Sequence, residues 1–297
     1  MTKLISHYRI ATTMKHEKIQ LPVRYASKGI HNNNFIPILT TYIIDNYGEI
    51  DINRVRPLVI VCPGGAYAWT SRREAEPVAI RMNALGFHAC VLDYSVAPMD
   101  YPAALLDLCE AINYVREHAE EWHVDAKQII VCGFSAAGHL AASLGILWNS
   151  GFIQKYIPLA AKQIQPNALC LCYPVITSGG FRHDGSIRNV LGSQADNPDM
   201  RDFVSLENQV NDDVPPVFMW HTNADESVPV ENSLLFAIAL RKHHIPLEYH
   251  MFLNGMHGIS LASEETATKP AHIQKECSIW PDLFAGWVRT GIITQQK

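Results

Sequence analysis

The chain has 297 residues, is 48% hydrophobic and 18% charged, and carries a formal net charge of −5. That is enough apolar material for one sizeable α/β core. The mild acidity, with no basic cluster, argues against a nucleic-acid or anionic-membrane partner. No apolar run has the length needed to span a bilayer. Residues 1–10 are polar and charged without the apolar stretch of a signal peptide, so a cytoplasmic protein is expected. The seven cysteines are odd in number. Cys62, Cys90, Cys132, Cys170 and Cys172 sit inside apolar segments, where a free thiol acts as a small hydrophobe. This suits a reducing compartment and predicts no disulfide scaffold. Cys170 and Cys172 have no His or Cys partner at zinc-finger spacing, so no metal is expected.

In chain order, strand-like and helix-like segments alternate. Residues 38–45 read as an early strand. Residues 57–62 form a continuous apolar run bounded by prolines, as in a strand buried on both faces. It ends in Pro63-Gly64-Gly65-Ala66-Tyr67. A glycine pair there lets backbone amides face a cavity, although a plain turn would use the same residues. Residues 71–85 read as a helix, with Ser71 and Glu74 spaced as a capping box. A strand over 87–94 and a helix over 103–118 follow. Residues 128–132 form a strand entering Gly133-Phe134-Ser135-Ala136-Ala137-Gly138-His139, and 136–148 a helix leaving it. Residues 168–173 form another strand. Residues 174–213, rich in Gly, Asn, Asp and Ser, read as irregular, and long irregular stretches inside a domain are usually functional. Alternation of this kind implies a mostly parallel sheet with helices on both faces.

Ser135 carries the most information. A serine on a sharp strand-to-helix turn projects its hydroxyl outward, while the following helix aims its amides at whatever that hydroxyl attacks. The pattern departs from G-x-S-x-G once, at Ala137. A serine nucleophile needs a histidine base and a carboxylate that orients it. Asp225 stands in the polar turn after the apolar run from Val217, and His257 in the Gly-flanked loop after the strand at 247–253. Each has an ordinary alternative: Asp225 as a turn residue or cap, His257 as one of 14 histidines. Three post-strand loops in the order Ser, acid, His favour a triad, since catalytic groups in open α/β sheets gather at the carboxyl ends of strands. Gly65, Ala66 and Ala136 are the candidate oxyanion-hole amides. Tyr67 and Trp69 follow the glycine pair as candidate pocket walls, and Trp280 is a third candidate substrate contact. His139 is expected to pack behind the turn. His243 and His244 lie at a helix end, where cations suit the dipole.

The stretches Cys62-Pro63-Gly64-Gly65-Ala66-Tyr67, Asp93-Tyr94-Ser95-Val96-Ala97-Pro98, Tyr101-Pro102-Ala103-Ala104, the Ser135 turn, residues 220–230 and Gly255-Met256-His257-Gly258-Ile259-Ser260-Leu261 carry a resemblance that covers most of residues 55–290. The chain resembles bacterial α/β-hydrolase esterases of the acetyl esterase and feruloyl-esterase-like group, often labelled xylan or carbohydrate acetyl esterases. In that family the loop after the first buried strand is similar to P/H-G-G-G-[FY]. Its donor glycines map to Gly65 and Ala66, the latter a departure. The resemblance implies one α/β-hydrolase domain over residues 1–297 with a lid or cap insertion at 174–213. It also implies Ser135–His257–Asp225 ester hydrolysis without cofactor or metal, on small acyl groups, chiefly acetyl, carried by sugars such as xylo-oligosaccharides. A general short-chain esterase or lipase is the nearest alternative. A prolyl-oligopeptidase-type peptidase and a non-catalytic ligand-binding relative are weaker ones. The partner expected is a small acylated sugar, with the oligomeric state, homo-oligomer or not, left open by the sequence.

Overall fold

A computed structural model describes residues 14–28, 30, 34–99 and 101–294. The N-terminal decapeptide read for a leader lies outside them. The strands are β1 (Met14–Lys15), β2 (Lys18–Gln20), β3 (Ile38–Ile44), β4 (Arg56–Cys62), β5 (His88–Asp93), β6 (Val124–Phe134), β7 (Ala168–Cys172), β8 (Val217–Thr222) and β9 (Leu247–Phe252). They form one nine-stranded sheet in the order β1-β3-β5-β4-β6-β7-β8-β9, with β2 also paired to β3. The β5, β4, β6, β7, β8 and β9 ladders are parallel, and β1–β3, β2–β3 and β3–β5 are antiparallel. The expected mostly parallel sheet is what forms.

Its central strands are apolar throughout because both faces are covered. Along β4, Leu58, Ile60 and Cys62 enter one core layer. Val59 and Val61 enter the other. The first layer is closed by α2 (Ala103–Glu117), α3 (Ala136–Leu147) and α7 (Glu231–Lys242), through residues such as Leu108, Leu140 and Phe236. The second is closed by α1 (Glu76–Ala84) and α8 (Trp280–Arg289), through Val78, Met82 and Phe284. The short α4 (Ala161–Ile164) precedes β7.

Two elements differ from expectation. The helix expected over 71–85 is a 3₁₀ turn at Arg72–Glu74 followed by α1, and Ser71 makes no side-chain cap bond. Glu74 is turned inward instead. Residues 174–213 are not irregular: they hold α5 (Asp184–Leu191) and α6 (Pro198–Phe203). Two of the polar residues of this stretch cap these helices. His183 accepts the Ser186 amide and Asn197 accepts those of Asp199 and Met200. Ile187, Val190, Leu191 and Leu206 join the core layer of α2 and α3. All seven cysteines are free and buried. Among the described residues no helix is long and apolar enough to cross a membrane.

Candidate active site

β6 delivers Ser135 at φ 53°, ψ −118°, a conformation costing a non-glycine residue about 1–3 kcal/mol. The main chain holds it there. Its N–H donates to the Cys172 carbonyl at 2.9 Å, and its own carbonyl accepts from Gly138 N at 2.9 Å and Val175 N at 3.0 Å. A Cβ on Gly133 would lie 2.1 Å from the Ala137 carbonyl oxygen, and one on Gly138 2.5 Å from Pro174 Cβ. The turn therefore needs glycine at 133 and 138, while position 137 admits a buried methyl.

The loops after β8 and β9 bring Asp225 and His257 to this serine. Ser135 Oγ lies 2.7 Å from His257 Nε2, and His257 Nδ1 lies 2.6 Å from Asp225 Oδ2. With Nδ1–H donating to the carboxylate, Nε2 is free to accept the hydroxyl proton. Asp225 Oδ1 accepts the amides of Ser227 at 3.0 Å and Val228 at 2.9 Å. Burial alone would push the Asp225 carboxyl up. The hydrogen bonds from His221 and His257 outweigh it and hold the group well below the usual carboxylate range. His221 is a member that sequence reading missed. It is buried, donates Nε2–H to Val228 O at 3.0 Å and Asp225 Oδ2 at 3.2 Å, and accepts from Ser233 Oγ at 2.7 Å.

Ser135 opens into a cleft of about 310 Å³ whose walls include Gly65, Ala66, Trp69, His183 and His257. Gly65 has φ 136° and Ala66 φ 54°. A Cβ on Gly65 would lie 2.1 Å from the Trp69 carbonyl oxygen, so only glycine fits. Among the described residues the N–H groups of Gly65, Ala66 and Ala136 have no protein acceptor. Asn189 Nδ2, from α5, donates to the Ala66 carbonyl at 2.8 Å.

The other candidates divide. Trp69 stands at the cleft, 61% exposed, so its ring does not fill an acyl pocket. Two expected substrate contacts are corrected. Tyr67 is buried behind the loop, donating its hydroxyl to His139 Nδ1 at 3.0 Å. Trp280 is fully buried against Trp220, ring centroids 5.7 Å apart, and donates Nε1–H to Ser260 O. Both rings are consumed by packing that a sequence pattern does not reveal. His139 packs behind the turn, donating Nε2–H to Val204 O at 2.9 Å, and burial lowers its pKa to about 4. His243 pairs with Asp212 at the end of α7. Arg73, Glu74, His183 and Ser227 also line the cleft and were not singled out as site residues.

One thiol cluster was missed because it is built across strands. Cys132, Cys170 and Cys172 place their sulfurs within 4.8 Å of one another, fully buried. Burial pushes the Cys132 and Cys172 thiols up, which favours their protonated, packing form, whereas at Cys170 hydrogen bonds with Cys132 and Cys172 outweigh burial and lower the pKa to about 6. No fourth His, Cys, Asp or Glu joins them among the described residues.

The BD-FAE family model matches residues 44–240. The chain belongs to the BD-FAE family. BD-FAE membership covers the sheet from β4 to β8, with Ser135 and Asp225. The chain is 36% identical over 237 residues, 78% of its length, to an endo-1,4-beta-xylanase B of Butyrivibrio fibrisolvens. It spans only 36–52% of the length of the first curated relatives it matches. Among solved structures it resembles an acetyl ester-xyloside bifunctional hydrolase from Caldicellulosiruptor lactoaceticus, at 37% identity and TM-score 0.79, covering 92% of this chain and 96% of that one. It also resembles the carboxylesterase Cest-2923 of Lactobacillus plantarum WCFS1, at 29% identity and TM-score 0.81, over 94% and 98% of the two chains. The sheet order and these neighbours identify the fold as that of an α/β-hydrolase.

Proposed function

We propose that this BD-FAE member is a serine carboxylic ester hydrolase that removes short acyl groups, acetyl above all, from acylated sugars such as acetylated xylo-oligosaccharides. The observation that carries the reading is the unbroken relay of 2.7 Å and 2.6 Å from Ser135 through His257 to Asp225, opening into a cleft with unpartnered amides. Ser135 Oγ bonds to the ester carbonyl carbon as its proton passes to His257 Nε2. The carbonyl oxygen becomes an oxyanion held by the Gly65, Ala66 and Ala136 amides. Collapse breaks the acyl–oxygen bond, and His257 returns the proton to the leaving sugar oxygen. Water then gives a proton to His257 as it attacks the acyl-serine; the bond from the acyl carbon to Ser135 Oγ breaks, and His257 returns the proton to Oγ, releasing the acid. Asp225 stays ionised throughout and stabilises the imidazolium. Every group needed comes from the chain, so the reaction calls for no cofactor.

The sugar assignment draws support from the acetyl ester-xyloside neighbour and from Trp69, whose exposed indole offers a flat face to a sugar ring beside the nucleophile. In this reading residues 174–213 form a cap within a single α/β-hydrolase domain. His183 borders the cleft and Asn189 braces Ala66. The free, buried cysteines suit a cytoplasmic enzyme acting on imported oligosaccharides. The deciding experiment compares kcat/KM on acetylated xylo-oligosaccharides with p-nitrophenyl acetate, butanoate and octanoate. Preference for the acetylated sugar is expected, and Trp69→Ala should raise KM for it while sparing p-nitrophenyl acetate. Equal turnover of octanoate would favour a general esterase or lipase.

A further inference from the structure

Glu74 is 3% exposed yet borders the cleft, and the relay above leaves it without a role. Its two carboxylate oxygens face two different loops. Oε2 accepts the Gly64 N–H at 2.9 Å, in the loop that presents the Gly65 and Ala66 amides. Oε1 accepts the Tyr173 hydroxyl at 2.6 Å. Tyr173 Oη in turn accepts the Ser260 N–H at 2.9 Å, three residues beyond His257. The Tyr173 ring stands edge-on to the His257 imidazole, centroids 5.1 Å apart. The Ser260 hydroxyl returns to the Arg73 carbonyl at 2.6 Å, closing the circuit on the residue next to Glu74. Gly64 is wedged between Glu74 and the nucleophile: a Cβ there would lie 2.8 Å from Glu74 Oε2 and 3.0 Å from Ser135 Cβ. Any drift of Glu74 is therefore passed to the backbone that carries the oxyanion donors.

We propose that Glu74, acting through Tyr173, is a positioning residue that ties the oxyanion loop to the loop of the catalytic base, so that both meet Ser135 in register. The proposal rests on the ester-hydrolase reading. Only an acceptor pair satisfies both donors. A glutamine meets one of them and turns an N–H₂ toward the other. An alanine leaves the buried Gly64 amide unpaired. A misplacement of about 1 Å at a reacting centre can lower the rate about 100-fold.

The test uses the whole chain and p-nitrophenyl acetate, a substrate too small to reach much beyond Ser135. Wild type, Ser135→Ala, Glu74→Gln, Glu74→Ala and Tyr173→Phe are compared for kcat, KM, thermal midpoint and second-order inactivation by a p-nitrophenyl phosphonate. The phosphonate mimics the tetrahedral intermediate and needs the oxyanion donors. Glu74→Gln and Tyr173→Phe should each lower kcat about tenfold, and Glu74→Ala about 100-fold, with KM within about threefold and phosphonate inactivation falling in parallel. The double variant Glu74→Gln/Tyr173→Phe should lose much less than the product of the two, because both break one chain of bonds. If Glu74→Ala does not fold, the Gln and Phe variants decide the matter. Folded Glu74→Gln and Tyr173→Phe with kcat within twofold of wild type overturn the proposal, as does a lowered thermal midpoint with unchanged kcat and inactivation. Failure of the underlying reading looks different: wild type would hydrolyse no ester, or Ser135→Ala would retain activity.

Discussion

The serine turn and the loop of Gly65 and Ala66, proposed above as the oxyanion loop, are neighbours with the same backbone problem, solved in different ways. Each holds non-glycine residues at positive φ, Ser135 in one and Ala66 and Tyr67 in the other. The serine turn is fixed mostly by main chain, through the Cys172 carbonyl, the Val175 amide and the close approaches at Gly133 and Gly138. The oxyanion loop has main-chain bonds too, from Ala68, Trp69 and Ser71 to the Gly64 and Gly65 carbonyls and from Ala97 to the Tyr67 carbonyl, but it also depends on side chains: Glu74 on Gly64, Asn189 on the Ala66 carbonyl, His139 on the Tyr67 hydroxyl. In the proposed mechanism, a site built this way keeps the nucleophile rigid while the oxyanion donors are adjustable. Substitutions at the first region should be all-or-none, and those at the second graded.

The largest effect expected is from Ser135→Ala, which should lower ester kcat by at least about 10⁴-fold with the fold intact, as nucleophile and base act as one unit. A tenth of wild-type activity in the folded variant would remove Ser135 from the mechanism. Next comes Gly133→Ala, whose added methyl meets a carbonyl that cannot retreat. It should lower both the thermal midpoint and kcat, with a stability loss of at least about 1–3 kcal/mol. An unchanged melting curve would mean that the turn is less rigid than the close approach implies. Asn189→Ala probes the other region. It leaves the Ala66 carbonyl without its side-chain donor and should lower kcat only several-fold, with stability nearly unchanged, about 1 kcal/mol at most. A loss as large as that of Ser135→Ala would erase the distinction.

The smallest effect is one of pH. Asp107 is buried and accepts the Tyr25 hydroxyl and the Ser95 amide. Two residues on, Ala97 N–H donates to the Tyr67 carbonyl, so this carboxyl anchors the strip behind the oxyanion loop. Burial pushes its pKa up to about 6, against hydrogen bonds that lower it. The folded state therefore holds this proton more tightly than the unfolded chain does. Its contribution to stability is full below about pH 4 and is lost as pH rises through about 6. Asp107→Asn should remove that component from a thermal-midpoint profile between pH 4 and 6. Superimposable profile shapes for the two proteins would refute it.

The same contrast explains what the sequence discloses. The serine turn reads from its own residues because its constraints are local: small residues, a preceding apolar run, a following helix. Asp225 and His257 read for the same reason, each ending a recognisable strand. The side-chain supports of the proposed oxyanion loop lie outside it, so Glu74 reads as half of a capping box and Asn189 is not singled out within the stretch that reads as irregular. His221, in an apolar strand, gave no sign that it faces Asp225, because strand register is invisible until the sheet is assembled. Trp280 illustrates the reverse error, since an aromatic ring has the same sequence signature in a core as at a ligand site. The polar composition of 174–213 conceals two helices, because residues that favour turns, such as Ser186 and Asn189 in α5 and Asp202 in α6, lie within them while His183 and Asn197 cap them.

The central claim is that Ser135 carries the acyl group during turnover. The most direct measurement is mass spectrometry of the protein acid-quenched during turnover of an acetyl ester, with the modified peptide sequenced. One acetyl group on Ser135, absent from Ser135→Ala, is the predicted result. Ester hydrolysis that persists in Ser135→Ala with no acetyl group on the protein would contradict it.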